Sequence, residues 1–191
     1  VKGVIINSPS NPTGGVWGKD ALLHLLKIAK KNSWVVISDE CYERLVYDGE
    51  FFSTEKLNRD HQIGANVVTC LSLSKTYAMT GWRVGFIGAP LWIAKACNKI
   101  QGQITSATCA IAQKAAETAM LANPKEVTAD MKATFLKRRD MILNELNNIE
   151  GIKCNIPQGA FYVFPDVSHY FGKSDGTTTI NNANDLCIGL L

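Results

Sequence analysis

The sequence predicts an α/β fold: a mostly parallel sheet with one antiparallel strand and helices on both faces, followed by the start of a smaller α+β unit. Three observations predict it. Short β-branched runs alternate with stretches of helical period, the pattern of a parallel sheet covered on both faces. One connection, between residues 72 and 84, is shorter than the dozen or more residues that a parallel crossover needs, so the strand after it returns antiparallel. A long helical stretch over 124–148 then gives way to new strand-like segments.

Gly3 to Asn7 is an apolar run bounded by Asn and Pro, and reads as a buried strand. Ser8 to Gly15 is rich in turn residues. Lys19 to Asn32 has helical period, with Leu22, Leu25, Leu26 and Ala29 on one face and Lys27, Lys30 and Lys31 elsewhere. Trp34 to Ser38 and Asn66 to Ser72 are the second and third strands, separated by a polar, weakly patterned stretch from Asp48 to Gly64. Val84 to Gly88 is the antiparallel strand, and it brings Arg83 back towards Lys75. Helices are expected near 91–101 and 108–122. The long helix over 124–148 should turn Val127, Met131, Phe135, Ile142 and Leu146 to one side. Gly151 ends it, and strands are expected at 152–156 and 160–164. The division that follows is a first unit over 1–123, a connecting helix over 124–148 and the start of a second unit over 149–191.

Of the 191 residues, 46% are hydrophobic and 19% charged, which is too apolar for disorder and supports a sizeable core. A net charge of +3, dispersed along the chain, gives no basic patch for nucleic acid. No apolar run approaches the length of a membrane span. Cys41, Cys70, Cys97, Cys109, Cys154 and Cys187 form no Cys-x-x-Cys pair. With no secretory leader at the start, they are expected to be reduced, mostly buried thiols of a cytoplasmic protein. The three histidines lack metal-ligand spacing, so no metal site is expected. The chain opens on Val1 directly into a strand and closes on an apolar helical run, Asp185 to Leu191. Both ends therefore look cut, and a piece of a longer protein is expected.

In an open α/β sheet, ligands bind beyond the carboxyl ends of the strands. The first strand end carries Asn11, Pro12, Thr13, Gly14 and Gly15; the second Asp39, Glu40 and Tyr42; the third Ser72, Ser74 and Lys75, with Arg83 returning beside it. Taken singly, each has a plain structural reading. Asn-Pro-Thr-Gly is a good turn, Asp39 a cap, Tyr42 a packed ring, and Lys75 and Arg83 are surface charges. Taken together they place an amide, a carboxylate, a phenol, a hydroxyl, an amine and a guanidinium on one edge of the sheet.

Ser72 to Gly85, Ser-Leu-Ser-Lys-Thr-Tyr-Ala-Met-Thr-Gly-Trp-Arg-Val-Gly, closely resembles the lysine motif of the class I/II (fold type I) pyridoxal-phosphate-dependent aminotransferases. Asn11-Pro12-Thr13-Gly14 and Asp39-Glu40-Cys41-Tyr42 resemble that family's two preceding signatures, in order. Pro157 to Phe164 resembles the segment that opens its small C-terminal domain. The resemblance implies a partial large domain of the pyridoxal-phosphate transferase type, with pyridoxal 5′-phosphate as cofactor. Lys75 would be the Schiff-base lysine and the proton shuttle between the amino acid's Cα and the cofactor's C4′. Asp39 would pair with the ring nitrogen, Tyr42 and Asn11 with the 3′ oxygen, and Ser72 and Arg83 with the phosphate. Ser74 has no such counterpart. The Asn11–Pro12 bond is a candidate for the cis isomer.

The implied reaction is amino transfer between an amino acid and a 2-oxo acid. The stretch Met79 to Arg83 resembles the bacterial aspartate branch, and so suggests aspartate with 2-oxoglutarate. A β-lyase on the same fold, or a non-catalytic aminotransferase-like domain of a transcription regulator, are the alternatives. The family also implies a homodimer. Gln103, Thr105 and Ser106 are candidates for its contact, with a helix N-cap as the competing reading of Thr105 or Ser106. The phosphate loop and the carboxylate-binding arginine of the family have no counterpart in these 191 residues, so the isolated piece is expected to be inactive.

Overall fold

The computed structural model describes residues 2–174 and 176–191. Strand β1 (Gly3–Asn7) leads through the turn-rich loop to helix α1 (Lys19–Lys31), then to β2 (Val35–Asp39). Helix α2 (Thr54–Asp60) precedes β3 (Asn66–Ser72), which passes without a loop into the single turn α3 (Leu73–Thr76). After a 3₁₀ turn at Thr80–Trp82 comes β4 (Gly85–Gly88). Helices α4 (Leu91–Ile104), α5 (Ala110–Leu121) and α6 (Pro124–Asn147) follow. A two-residue pair, β5 (Lys153–Cys154) and β6 (Pro165–Asp166), and helix α7 (Ala183–Gly189) complete the chain.

The four-stranded sheet has the order β1-β2-β3-β4. β1, β2 and β3 are parallel, with Asn7 beside Asp39 and Asp39 beside Cys70. β4 is antiparallel to β3, with Ser72 opposite Gly85. The short 72–84 connection thus does what its length dictates. The core lies on one face of this sheet. There Leu22, Leu26 and Ala29 of α1 pack with Ile6, Val36 and Val67 of the strands and Leu57 of α2. Burial of each leucine contributes about 1.5–3 kcal/mol. On the opposite face Ile5 is 75% exposed.

Five expectations need correction. Helix α2 lies within the stretch that shows no pattern in sequence, and its start is tied down by a buried carboxylate rather than by an apolar stripe. Residues 160–164 form no strand: Ala160 is tied to the loop after β2, its N–H donating to Leu45 O at 2.8 Å and its carbonyl accepting from the Tyr47 hydroxyl. Along α6 the inward stripe is Thr128, Met131, Phe135 and Leu143, with Leu146 half-buried, whereas Val127 and Ile142 face outward at 50% and 40% exposure. Finally, all six cysteines are free, but none is fully buried, and Cys97, Cys109 and Cys187 are exposed. Helix α4 also runs three residues further than expected. Thr105 therefore closes the C-terminus of α4, its hydroxyl donating to Gln101 O, and does not cap the next helix. Among the described residues no helix is long and apolar enough to cross a membrane.

Candidate active site

The strand ends set the site. A strand alternates its side chains between faces, so the end of β2 separates two carboxylates. Ser38 and Glu40 turn to the core face, where both are buried. Glu40 accepts from Ser38 Oγ at 3.0 Å and from Thr54 N–H at 2.9 Å, and Ser38 Oγ lies 2.8 Å from Thr54 Oγ1. Burial pushes the Glu40 carboxyl above its ordinary value, and the bonds from Thr54 and Ser38 pull partly the other way. Asp39 is left for the other face. One of its oxygens accepts the Cys41 N–H at 3.1 Å, leaving the carboxylate a second oxygen for a ligand.

Tyr42, one turn beyond, is 6% exposed and sits in a small cluster with Leu45 and Ala160. The Phe161 and Tyr162 rings meet its ring edge-on, with centroids at 5.2 and 5.7 Å. Phe161 stacks in turn on Phe135 of α6 at 5.1 Å. The Lys75 ammonium lies 5.8 Å from the Tyr42 ring centroid and 5.2 Å from that of Phe161. The half-exposed Lys75 amine thus stands on an aromatic wall, and the Cys41 thiol is within electrostatic reach of both Lys75 and Asp39. Burial, followed by the hydrogen bond and charge of Asp39, pushes the Cys41 thiol up to about 12, so it remains a thiol.

Lys75 is positioned by the strand-to-helix junction. Ser72 is the N-cap of α3, its hydroxyl accepting from Ser74 N–H at 3.1 Å. Arg83 follows the 3₁₀ turn in the left-handed region, at φ 56°, and its guanidinium donates to Thr80 O at 2.9 Å. Its backbone is adjacent to the α3 turn, since Leu73 N–H donates to Val84 O at 3.3 Å. Its side chain, however, is exposed and lines an open cleft with Gln101, Thr105 and Thr108. Asn11 is also exposed. Its own N–H donates to Asn7 Oδ1 at 2.6 Å, and the Asn11–Pro12 bond is cis, as is Ser8–Pro9. Of the sequence-expected set, then, Asp39, Tyr42, Ser72 and Lys75 converge, while Asn11 and Arg83 flank them.

Sequence reasoning missed three contributors. Asn7 bridges two strand ends, its amide donating to Asp39 O at 3.2 Å while its oxygen holds Asn11. Phe161 and Tyr162 build the wall behind Lys75, and the Tyr162 hydroxyl lies 2.6 Å from that of Tyr42. The run Pro157 to Phe164 is legible as a motif, but its alternation suggests a strand and hides that it crosses the site. Gly159 N–H donates to Gly14 O at 2.9 Å, Val16 N–H to Gln158 Oε1 at 3.2 Å, and Tyr47 N–H to Gln158 O at 2.8 Å. Arg139 of α6 fastens the same segment, donating to Pro157 O at 3.0 Å while paired with Asp48.

This constellation can be set beside known proteins. Residues 1–191 match the family described as aminotransferase class I and II. The chain belongs to that family. Among curated aminotransferases it is 40% identical over 174 residues to the aspartate/prephenate aminotransferase of Cereibacter sphaeroides, covering 91% of this chain and 43% of that one. It is 36% identical over 191 residues to the aspartate aminotransferase of Rhizobium meliloti, covering 98% of this chain and 46% of the relative. The crystal structure of an aspartate aminotransferase from Rhizobium meliloti superposes on the whole chain with a TM-score of 0.91 at 34% identity, using 48% of its own length. This aminotransferase chain thus spans less than half the length of the relatives it matches.

Proposed function

We propose that the chain carries the lysine-bearing part of a pyridoxal-phosphate site in an enzyme that moves an amino group between an amino acid, aspartate first among candidates, and 2-oxoglutarate. The observation that carries this reading is the meeting of Lys75, Asp39 and Tyr42 at adjacent strand ends, with the Lys75 ammonium 5.8 Å from the Tyr42 ring. The relatives named for aspartate support the choice of substrate.

The donor set fits the cofactor. Asp39 has a carboxylate for a protonated pyridine nitrogen, Tyr42 a phenol for the 3′ oxygen, and Lys75 an amine to hold the aldehyde carbon. Ser72 and Arg83 offer a hydroxyl and a fork of N–H donors to the phosphate, and Asn11 an amide at the 3′ oxygen. When bound, pyridoxal phosphate supplies an electron sink for the bonds at the amino acid's Cα. Asp39 would keep the ring nitrogen protonated. The freed Lys75 amine would take the proton from Cα. Phe161 and Phe135 would exclude water from that amine, so that the proton is not lost to solvent.

By the same reading, residues 1–123 belong to the large domain, 124–148 are the connecting helix, and 149–191 begin the small domain. The whole enzyme would be a cytoplasmic homodimer with Gln103, Thr105 and Ser106 near its subunit contact. The test is the visible absorption of the full-length protein after adding pyridoxal phosphate, compared with Lys75→Ala. A cofactor band in the wild type, absent from the variant and moved by aspartate, is the expected result. A band that persists unchanged in Lys75→Ala overturns the assignment. Release of pyruvate and ammonia without keto-acid-dependent amino transfer would make the enzyme a lyase instead.

A further inference from the structure

Tyr42 is expected to serve a ligand, yet its hydroxyl is already engaged. It lies 2.6 Å from the hydroxyl of Tyr162, a residue that comes from beyond the long helix. The contact is well supported. Gly159, two residues before Phe161, is pressed against the Leu45 carbonyl and Pro9, so closely that a Cβ there would stand 2.7 Å from Leu45 O. Ala160 is fully buried, and Tyr47 donates to its carbonyl. Tyr162 therefore has little freedom to leave Tyr42.

A phenol has one proton to give and two lone pairs with which to accept. Two phenols in contact share one bond, and the direction of that bond decides which of them has a proton free for a third group. If Tyr162 donates to the Tyr42 oxygen, the Tyr42 proton is free for a third group. The geometry points to Tyr162 as a positioning residue that acts through Tyr42: it donates to the Tyr42 hydroxyl, aims the Tyr42 proton at the cofactor's 3′ oxygen and strengthens that bond. A chain of two hydroxyls polarises along its length, so the terminal donor is a better one than Tyr42 alone. This inference rests on the proposed cofactor site and deepens it.

The groups that face the pair are few. Asp39 and Cys41 lie on the loop side and Lys75 across the ring; from α6 Met131 and Phe135 pack on the cluster, and Arg138 and Arg139 line a pocket together with Phe161 and Tyr162. Burial above all, with the nearby Cys41 and Asp39 adding to it, holds the Tyr42 phenol above its ordinary value. Tyr42 therefore keeps its proton across the working pH range, as a donor must.

Tyr162→Phe in the full-length enzyme tests the proposal, because it removes one oxygen and leaves the ring packing. Two readouts apply. In the cofactor-free protein labelled at the tyrosine ring carbon that bears the hydroxyl, the resonance that Tyr42→Phe deletes should shift in Tyr162→Phe. In the loaded protein, the pH at which the cofactor's visible band changes should move up by about half a unit, the size expected from one weakened hydrogen bond. In a Tyr42→Phe background, Tyr162→Phe should add nothing to that shift. An unmoved Tyr42 resonance overturns the proposal. So does a band shift that persists without the Tyr42 hydroxyl, or a variant that loses only thermal stability. Failure of the cofactor reading itself is separate: it shows as a band that survives Lys75→Ala, whereas the Tyr42 resonance needs no cofactor.

Discussion

Gly14 and Pro157 approach so closely that a Cβ built on Gly14 would stand 2.3 Å from the Pro157 Cβ. The Gly14 carbonyl also accepts the Gly159 amide, and Gly14 itself lies at φ +70°. Only a residue without a side chain meets both conditions. Gly14→Ala is therefore expected to lower stability by about 2 kcal/mol or more, through the seam between the first turn and the 157–162 segment. Urea titration of the wild type and variant measures it. A loss below about 0.5 kcal/mol would show that the seam yields easily.

Glu40 carries a pH signature whose sign is fixed by its burial. Its carboxyl titrates above the ordinary value in the folded chain, so the folded state holds this proton more tightly than the unfolded one. Its share of stability is present below the unfolded value and is lost as pH rises through the folded one. Glu40→Gln can still accept from Ser38 and Thr54, so it should flatten this dependence while changing neutral-pH stability by about 1 kcal/mol or less. Glu40→Ala strands the buried Thr54 N–H, while Ser38 keeps only Thr54 Oγ1, and should cost about 2–3 kcal/mol. Thermal melts from pH 4 to 8, on all three proteins, separate these outcomes.

Cys41 and Cys109 should differ sharply as nucleophiles. Burial and Asp39 push the first up to about 12. The N–H groups of Ala112 and Ile111 hold the second, at the start of α5, below its ordinary value. Since the thiolate is the reactive form, brief iodoacetamide treatment at pH 7.5 should label Cys109 far faster than Cys41. Peptide mapping would reveal equal rates if the Asp39–Cys41 arrangement were wrong.

Arg139 is the strap on the aromatic wall. It pairs with Asp48, donates to Pro157 O and stands 5.3 Å over the Tyr47 ring. Arg139→Ala should cost about 2–4 kcal/mol, because the pairing is partly buried and the Pro157 carbonyl loses its donor. Arg139→Lys should recover only part of that, lacking the planar fork. Limited proteolysis near Pro157 is the direct readout, with faster cleavage expected in both variants.

Much of this was legible in the sequence because it is local. The strands show their β-branched runs, and the brevity of the 72–84 link dictates an antiparallel return. Asp39, Tyr42, Ser72 and Lys75 stand at strand ends, where chain order alone places them together. What was hidden depends on distant partners. Helix α2 has no apolar stripe to announce it, since a buried Glu40 holds its first turn. Residues 160–164 alternate like a strand, but the Ala160 amide is claimed by the loop after β2. The inward face of α6 is set by the Phe161 ring it must meet, and periodicity alone could not distinguish Ile142 from Leu143. Asn7 gave no signal beyond its place at the end of β1.

The conformation of Arg83 has a consequence of its own. At φ 56° a glycine would rest more easily than any residue with a Cβ. Arg83→Gly should therefore relax the backbone while deleting the guanidinium, so that melting temperature and phosphate affinity move in opposite directions. Random mutagenesis scored on folding alone would welcome that glycine; scored on turnover, it would discard it. The two screens would disagree at this one turn, and their disagreement would measure how much conformational ease the chain forgoes to keep a cation there.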